Sequence, residues 1–409
     1  MLTKDVVIVG GGIIGSSIAY FLKRQSSATV VVVEQDPSYR GSSTARSAAA
    51  IRQQFNLGIN VAMSAFTYEF FRNAAEHLSV DGEAVDLEFA ECPYLIVTAA
   101  EGVERLASAH ARQIEAGAQV ELLGAGKLAE SIAWLKADGL AAGCLGLRGE
   151  GWLNSVLALQ ALVRKAKSLG VEYITGSVAA MERNSSQIRQ VITAEGAALK
   201  AGAFVNAAGA KAATVAAMAG VHLPIESRKR SAFVLAARKP PQGFTNLIDP
   251  TFMQRGVYAR PYGSNFLAVT SPDPAEDPAT ESYEVDHYLF EQVIRPALAR
   301  RVRGFEEVEL VDAWAGHYEM NCFDQNAILG PHPELTNFFL ACGLSGHGVM
   351  HSAAIGRGIA EHLLTGNYRT LDLTPFGYDR ILQKRPLDDA QASEHRTSRF
   401  NYGLARPVS

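Results

Sequence analysis

The segment VVIVGGGIIG, residues 6–15, constrains this chain more than any other stretch, because it sets a glycine turn between a strand and a helix. Val6 to Val9 form an apolar run suited to a buried strand, and Ile14, Ile18, Phe21 and Leu22 then recur at helical spacing. A G-x-G-x-x-G turn in that setting is a dinucleotide-binding fingerprint. Gly10 permits the tight turn, Gly12 lets the backbone approach a pyrophosphate, and Gly15 lets helix and strand pack closely. Ile13 and Ile14 open the helix, whose unpaired N–H groups and positive end favour an anion. A second apolar strand, Thr29 to Val33, ends at Glu34 and Gln35. An acid about 20 positions beyond the glycines is placed to accept hydrogen bonds from a ribose diol. Gly10, Gly12, Gly15 and Glu34 therefore read as one adenine-dinucleotide site.

The chain is 409 residues long, which suits two domains, and 48% of it is hydrophobic, as in a folded globular protein. Its 38 basic and 42 acidic residues give a net charge of -4 without long charged runs, so nucleic acid is not an expected partner. Cys92, Cys144, Cys322 and Cys342 lie far apart with no CxxC pair, which speaks against both a zinc site and a disulfide framework. The first strand begins so near Met1 that no signal peptide is expected, and no uncharged apolar run reaches the ~20 residues of a membrane span. A cytoplasmic protein without a bound metal is the expectation.

Past Glu34, residues 39–55 (YRGSSTARSAAAIRQQF) are rich in small and hydroxyl side chains, suited to backbone laid against a flat ligand. Ser42, Ser43, Thr44, Ser47, Ala48 and Ala49 are the expected lining, and Arg52 is a charge set just past four apolar residues. Helices are expected over 61–78, 102–115, 152–169, 286–303 and 349–364. Strands are expected over 93–98, 171–174, 188–193, 203–208, 231–236, 327–330 and 338–342, with a hairpin of 256–260 and 266–270 around Gly263. The strand ending in NAAG puts Ala208 and Gly209 at a carboxyl edge, where doubly wound sheets hold ligands. The expected fold class is α/β: a doubly wound, Rossmann-type domain over 1–81, 150–222 and 318–387, and an α+β substrate domain on a mainly antiparallel sheet over 82–149 and 223–317. A polar tail is expected over 388–409.

An interrupted dinucleotide domain is unusual for a simple NAD dehydrogenase and common among FAD enzymes that carry a separate substrate sheet. Across nearly its whole length the sequence resembles the D-amino-acid oxidase superfamily, in particular its sarcosine oxidase, glycine oxidase and D-arginine dehydrogenase branch. The resemblance rests on VVIVGGGIIG, SSTARSAAAIR, FVNAAG and ILGPHPELTNFFLACGLSGHGVMHSAAIGR. It implies a non-covalently held FAD and oxidation of the C–N bond of an amino acid or secondary amine to an imine, by hydride transfer to flavin N5. The DQNAILGPHP and SGHG runs also resemble a respiratory complex I assembly factor of the same superfamily, which leaves a flavin-bearing partner subunit as the alternative.

The resemblance further implies that Gly343, Ser345, Gly346, His347, Gly348 and Val349 present backbone N–H groups and a helix's positive end to the flavin, with Val178 and Gly316 beside it. Arg52 matches an arginine that holds the substrate carboxylate, a planar anion well suited to a bidentate guanidinium. Arg230 lies next to the carboxylate-binding position of the D-arginine dehydrogenase pattern, and Tyr258 is a candidate wall of the substrate site. Three positions depart from the sarcosine oxidases. Arg260 replaces a lysine that promotes reaction with oxygen, so the acceptor stays open between oxygen, a quinone and a partner protein. Met350 replaces a substrate-binding lysine, which argues against sarcosine itself. His317 replaces the cysteine bonded to the flavin and is chemically capable of such a bond.

Overall fold

The computed structural model describes residues 4–253 and 255–387, so the tail expected at 388–409 lies outside the described residues. Two sheets organise the chain. The first has six strands in the order Ile328–Pro331, Phe338–Cys342, Ala201–Asn206, Lys4–Val9, Val30–Glu34 and Glu172–Thr175. All its pairings are parallel except that of Ile328–Pro331 with Phe338–Cys342. Its central strands read as unbroken apolar runs because both faces are covered. Val6, Ile8, Val30 and Val32 pack into one hydrophobic cluster, while Val7, Val9, Val31 and Val33 pack into another on the opposite face. On the first face the helix Ile13–Gln25 packs against Gly348–Thr365 and Ser155–Ser168. Three distant pieces of sequence thus make one Rossmann-like layer.

The second sheet has eight strands in the order Val308–Asn321, Ile225–Ala237, Asn265–Thr270, Val257–Tyr262, Asn246–Asp249, Tyr94–Thr98, Ala142–Gly146 and Val120–Gly124. It is antiparallel except where Asn246–Asp249 meets Tyr94–Thr98. Period-two alternation assigns its faces. Leu95, Leu247, Ala259, Phe233 and Leu235 bury against the helical segment 287–301, whereas Tyr94, Ile96, Ile248, Tyr258 and Val234 face the cofactor layer. The predicted hairpin is present, with Gly263 in the left-handed region at φ 60°.

Several elements differ from the sequence expectation. The helix expected over 61–78 starts earlier and is split into Gly58–Arg72 and Ala74–Leu78, because Asn73 leaves helical geometry. The helix expected over 286–303 contains a π turn at Phe290–Ile294. Pro296 follows directly and has no N–H for the carbonyl of Gln292, which displaces the ladder there. The longest strand, Val308–Asn321, was not expected at all, and the strand expected over 231–236 extends to Ile225–Ala237 because the two pair along their whole length. Strands at Val120–Gly124, Ala142–Gly146 and Asn246–Asp249 were also unread. Among the described residues no helix is long and apolar enough to cross a membrane, and no group of His, Cys, Asp or Glu is arranged to hold a metal ion.

Candidate active site

A continuous cavity of about 610 Å³ runs between the two sheets, a size within the roughly 300–1,000 Å³ of small-molecule and cofactor sites. One end is built by the glycine turn. Gly10 has φ 100°, and a Cβ there would lie 2.3 Å from the Ala207 carbonyl oxygen; a Cβ on Gly15 would lie 1.9 Å from that of Gly10. These two glycines are required by packing, and Gly15 accordingly does not line the cavity. Gly12 differs: a Cβ there would meet only the Thr44 hydroxyl, at 3.7 Å, so its backbone borders open cavity. Ile13 N–H donates to Thr44 Oγ1, and the cap residue Gly12 has no side chain to bond the next turn, which leaves the Ile14 N–H to a ligand. Glu34 accepts from the backbone N–H groups of Gly11 and Asp36 while its side chain borders the cavity. Burial raises its pKa, against those two hydrogen bonds. Gln35, Ser42, Ser43, Ser47, Ala48, Ala49, Val178, Ala208 and Gly209 complete this half of the wall. A cradle with a bare-backbone pyrophosphate position, a helix N-terminus and a carboxylate fits an adenine dinucleotide.

At the other end the loop after Phe338–Cys342 divides its backbone in two. Gly343 N–H donates to Glu319 Oε2 at 2.8 Å, Ser345 N–H to the Glu319 carbonyl, and His347 N–H to the Leu344 carbonyl. Gly343 and Ser345 therefore turn inward and do not border the cavity, whereas Gly346, His347, Gly348 and Val349 do. The left-handed φ values of Gly343, Ser345 and Gly346 make this turn. Gly316 is also not in the wall, because it packs on Arg46, whose Cβ lies 2.8 Å from where its own would stand.

Arg52 is 5% exposed and reaches the cavity. One guanidinium nitrogen donates to the Gln54 carbonyl and another to His347 Nε2 at 3.3 Å, and the group lies 4.4 Å over the Phe55 ring. No carboxylate lies within ion-pair distance of it among the described residues. Since arginine has no acceptor, His347 Nε2 must accept, which fixes a neutral imidazole. Burial, then Arg52, pushes the pKa of His347 well below its ordinary value, and the same causes push His351 down to about 3.

Tyr94 and Tyr258 stack beside Arg52 with centroids 5.7 Å apart, and their hydroxyls form a chain from Tyr94 through Tyr258 to Asn246 Oδ1. Met350 adds an apolar wall. His317 borders the cavity, but its Nε2 lies 3.0 Å from the Ser282 carbonyl and its ring packs on Tyr283. With that nitrogen engaged, the flavin is expected to leave with acid. Precipitation with trichloroacetic acid should put essentially all of the yellow colour in the supernatant; colour in the pellet would assign His317 a covalent bond.

Besides Gly15, Gly316, Gly343 and Ser345, two arginines marked in the sequence are not brought to the cavity. Arg230 makes a bidentate pair with Asp277, at 2.8 and 2.9 Å, and lies 5.3 Å under Tyr318. Arg260 donates to the carbonyls of Ala48 and Pro261 and stacks 4.5 Å over Trp152, so it supports the cofactor loop from behind. In their place the structure supplies residues the sequence did not mark. Tyr94 and Glu319 line the cavity, and Glu150, 2% exposed, holds the Arg52 loop from beneath by accepting from the N–H groups of Gln53 and Tyr94. Burial pushes Glu150 up to about 7. No local pattern announces such a carboxylate; only strand pairing buries it.

The FAD dependent oxidoreductase (DAO) family profile matches residues 5–362. FAD-dependent oxidoreductase domain-containing protein 1 of Xenopus laevis is 37% identical over 390 residues, covering 87% of this chain and 77% of that protein. Glycine oxidase of Geobacillus kaustophilus is 28% identical over 272 residues, covering 66% of this chain and 68% of that protein. The solved structure of L-proline dehydrogenase from P. horikoshii superposes with a TM-score of 0.83 at 24% identity, covering 94% of this chain and 99% of that one. That of Geobacillus kaustophilus glycine oxidase superposes with a TM-score of 0.76 at 25% identity, covering 92% and 98%.

Proposed function

This chain belongs to the FAD-dependent oxidoreductase (DAO) family and binds FAD, and on that premise we propose that it oxidises the C–N bond of an amino or imino acid to an imine. The observation that carries this reading is Arg52. A buried cation without a carboxylate partner is costly to keep, and it is satisfied when an anionic ligand enters the cavity. A planar carboxylate matches the guanidinium fork and would be fixed in orientation as well as charge. The stacked Tyr94–Tyr258 pair and Met350 then wall the carbon skeleton and exclude water from the reacting carbon. Bound FAD supplies the two-electron acceptor, and the chain supplies binding, orientation and electrostatics. The names of the glycine oxidase and L-proline dehydrogenase relatives support primary and cyclic amino acids as the substrate classes to try.

The test is anaerobic mixing of the holoenzyme with D-amino acids, N-methyl amino acids, opines and cyclic imino acids while the flavin band is followed. Bleaching by at least one class is expected; bleaching by none would overturn the reading. Electron disposal is a separate expectation. The guanidinium of Arg260 is tied to Ala48 and Pro261, so this position offers oxygen no lysine-like ammonium. Reoxidation by air should be at least about tenfold slower than by an artificial quinone, the size expected for losing one favourable charge of about 1.4 kcal/mol. Equal rates with both acceptors would sink that inference.

A further inference from the structure

Oxidising an amine by loss of hydride needs a lone pair on nitrogen, yet an amino acid arrives as an ammonium ion at neutral pH. The cavity must therefore receive a proton, and its titratable groups can be taken one at a time. His347 already spends Nε2 on Arg52. His317 donates Nε2–H to the Ser282 carbonyl and packs its ring on Tyr283, and among the described residues it makes no bond to the loop that carries His347. The phenols of Tyr94 and Tyr258 are pushed above their ordinary range by burial and are poor bases in their neutral form. Glu150 sits behind the backbone of Gln53 and Tyr94 and does not border the cavity. Glu34, Asp36 and Lys211 stand at the nucleotide end, around Gly11 and Gln35, and Glu281 is exposed to water.

Glu319 remains. It borders the cavity from the strand Val308–Asn321, opposite Ser227 of the neighbouring strand. Its Oε2 is held by Gly343 N–H at the start of the loop whose end, His347, holds Arg52. No cation lies within ion-pair distance of it among the described residues, so its charge is offered to the ligand. The substrate carboxylate on Arg52 and the substrate nitrogen on Glu319 would then be gripped from two ends of one loop. We propose that Glu319 receives the substrate's ammonium group and takes one of its protons, leaving a neutral amine and a protonated carboxyl. This inference rests on the amino acid reading of the cavity given above.

The balance is a single proton: the N–H bond breaks, its electron pair stays on nitrogen, and an O–H bond forms on Glu319. Burial pushes Glu319 up to about 7, partly offset by the N–H groups of Gly343 and Leu344, which suits a base working near neutrality. Facing it are the thiol of Cys342, at the end of the strand Phe338–Cys342 of the other sheet, raised by burial and by Glu319 itself, and His317 two residues back on its own strand. Arg52 and His347 lie at the far end of the loop.

Two readouts on the FAD-loaded protein test it with Glu319→Gln, which keeps an oxygen for Gly343 N–H. Anaerobic flavin reduction by an active amino acid should rise with pH through about 7 in the parent protein, because below that value Glu319 is already protonated. The variant should lose that limb, fall about a hundredfold or more at pH 7, and recover to within about fivefold above the amine's own pKa. Binding of propionate, a carboxylate without an amine, should weaken as pH rises through about 7 in the parent and be flat in the variant. An unchanged rate and pH profile in Glu319→Gln would overturn the assignment while leaving the amino acid reading intact. A parent flavin that no amino acid bleaches would instead overturn that reading and this one with it.

Discussion

Replacing Gly12 by valine should yield a folded protein that purifies without FAD. The three glycines of the turn separate cleanly in this respect. A side chain on Gly10 or Gly15 would collide with backbone, at 2.3 and 1.9 Å, so loss of FAD there could not be told from loss of the fold. Gly12 has φ -62° and ψ -172°, which any residue adopts, and its Cβ would have only Thr44 Oγ1 nearby, at 3.7 Å. The new isopropyl group would stand over the helix N-terminus, where the backbone must approach a pyrophosphate. Displacing that anion removes contacts to several N–H groups together, so retention should drop from near stoichiometric to below about a tenth, a loss beyond ~1.4 kcal/mol per factor of ten. Absorbance at 450 nm against 280 nm reads FAD content, and far-ultraviolet circular dichroism reads the fold. Full flavin content in a folded variant would mean that the pyrophosphate does not pass Gly12.

The second large effect is expected at Arg52. Removing the charged partner of a desolvated anion costs about 2–5 kcal/mol, roughly thirty-fold to several-thousand-fold in kcat/KM. Arg52→Ala should show that loss on an active amino acid and far less on the corresponding amine without a carboxylate, with flavin content unchanged. Arg52→Lys keeps the charge and loses the fork, so it should fall between. His347 also loses its donor in the alanine variant, and Arg52→Lys limits that disturbance. Equal losses on both substrates, or none on either, would make Arg52 structural. The next carboxylate anchor would then have to come from elsewhere in the wall, since Arg230 is committed to Asp277.

The nucleotide half of the cavity was legible because its information is local. Turn, helix start and acid all lie within residues 6–35, and their spacing alone places a dinucleotide. The segment 42–49 was legible for a related reason, since small residues in a row suit backbone laid against a ligand; of 343–349, marked by the family resemblance, Gly343 and Ser345 turn away to Glu319. The substrate half was not. The strand Val308–Asn321 mixes exposed and half-buried positions and carries no clean alternation, so its pairing with Ile225–Ala237 decides its conformation. That pairing is what delivers Glu319 to the cavity and leaves Gly316 against Arg46.

Charged residues show the same division. In sequence, Arg52 and Arg230 are candidates for the substrate carboxylate and Arg260 for the position where related oxidases meet oxygen, and nothing local shows which of them reaches a ligand. Asp277, distant in the chain, claims Arg230; the carbonyls of Ala48 and Pro261 hold Arg260 behind the cofactor loop; of the three only Arg52 borders the cavity, and it does so without a carboxylate partner. Sequence by itself therefore determined the cofactor layer and the glycine turn at its edge, because a strand, a turn and a helix are specified by neighbours along the chain. The tertiary structure alone decided which cation faces the substrate and which carboxylates are buried, because desolvation and ion pairing depend on residues that meet only when the two sheets close over the cavity.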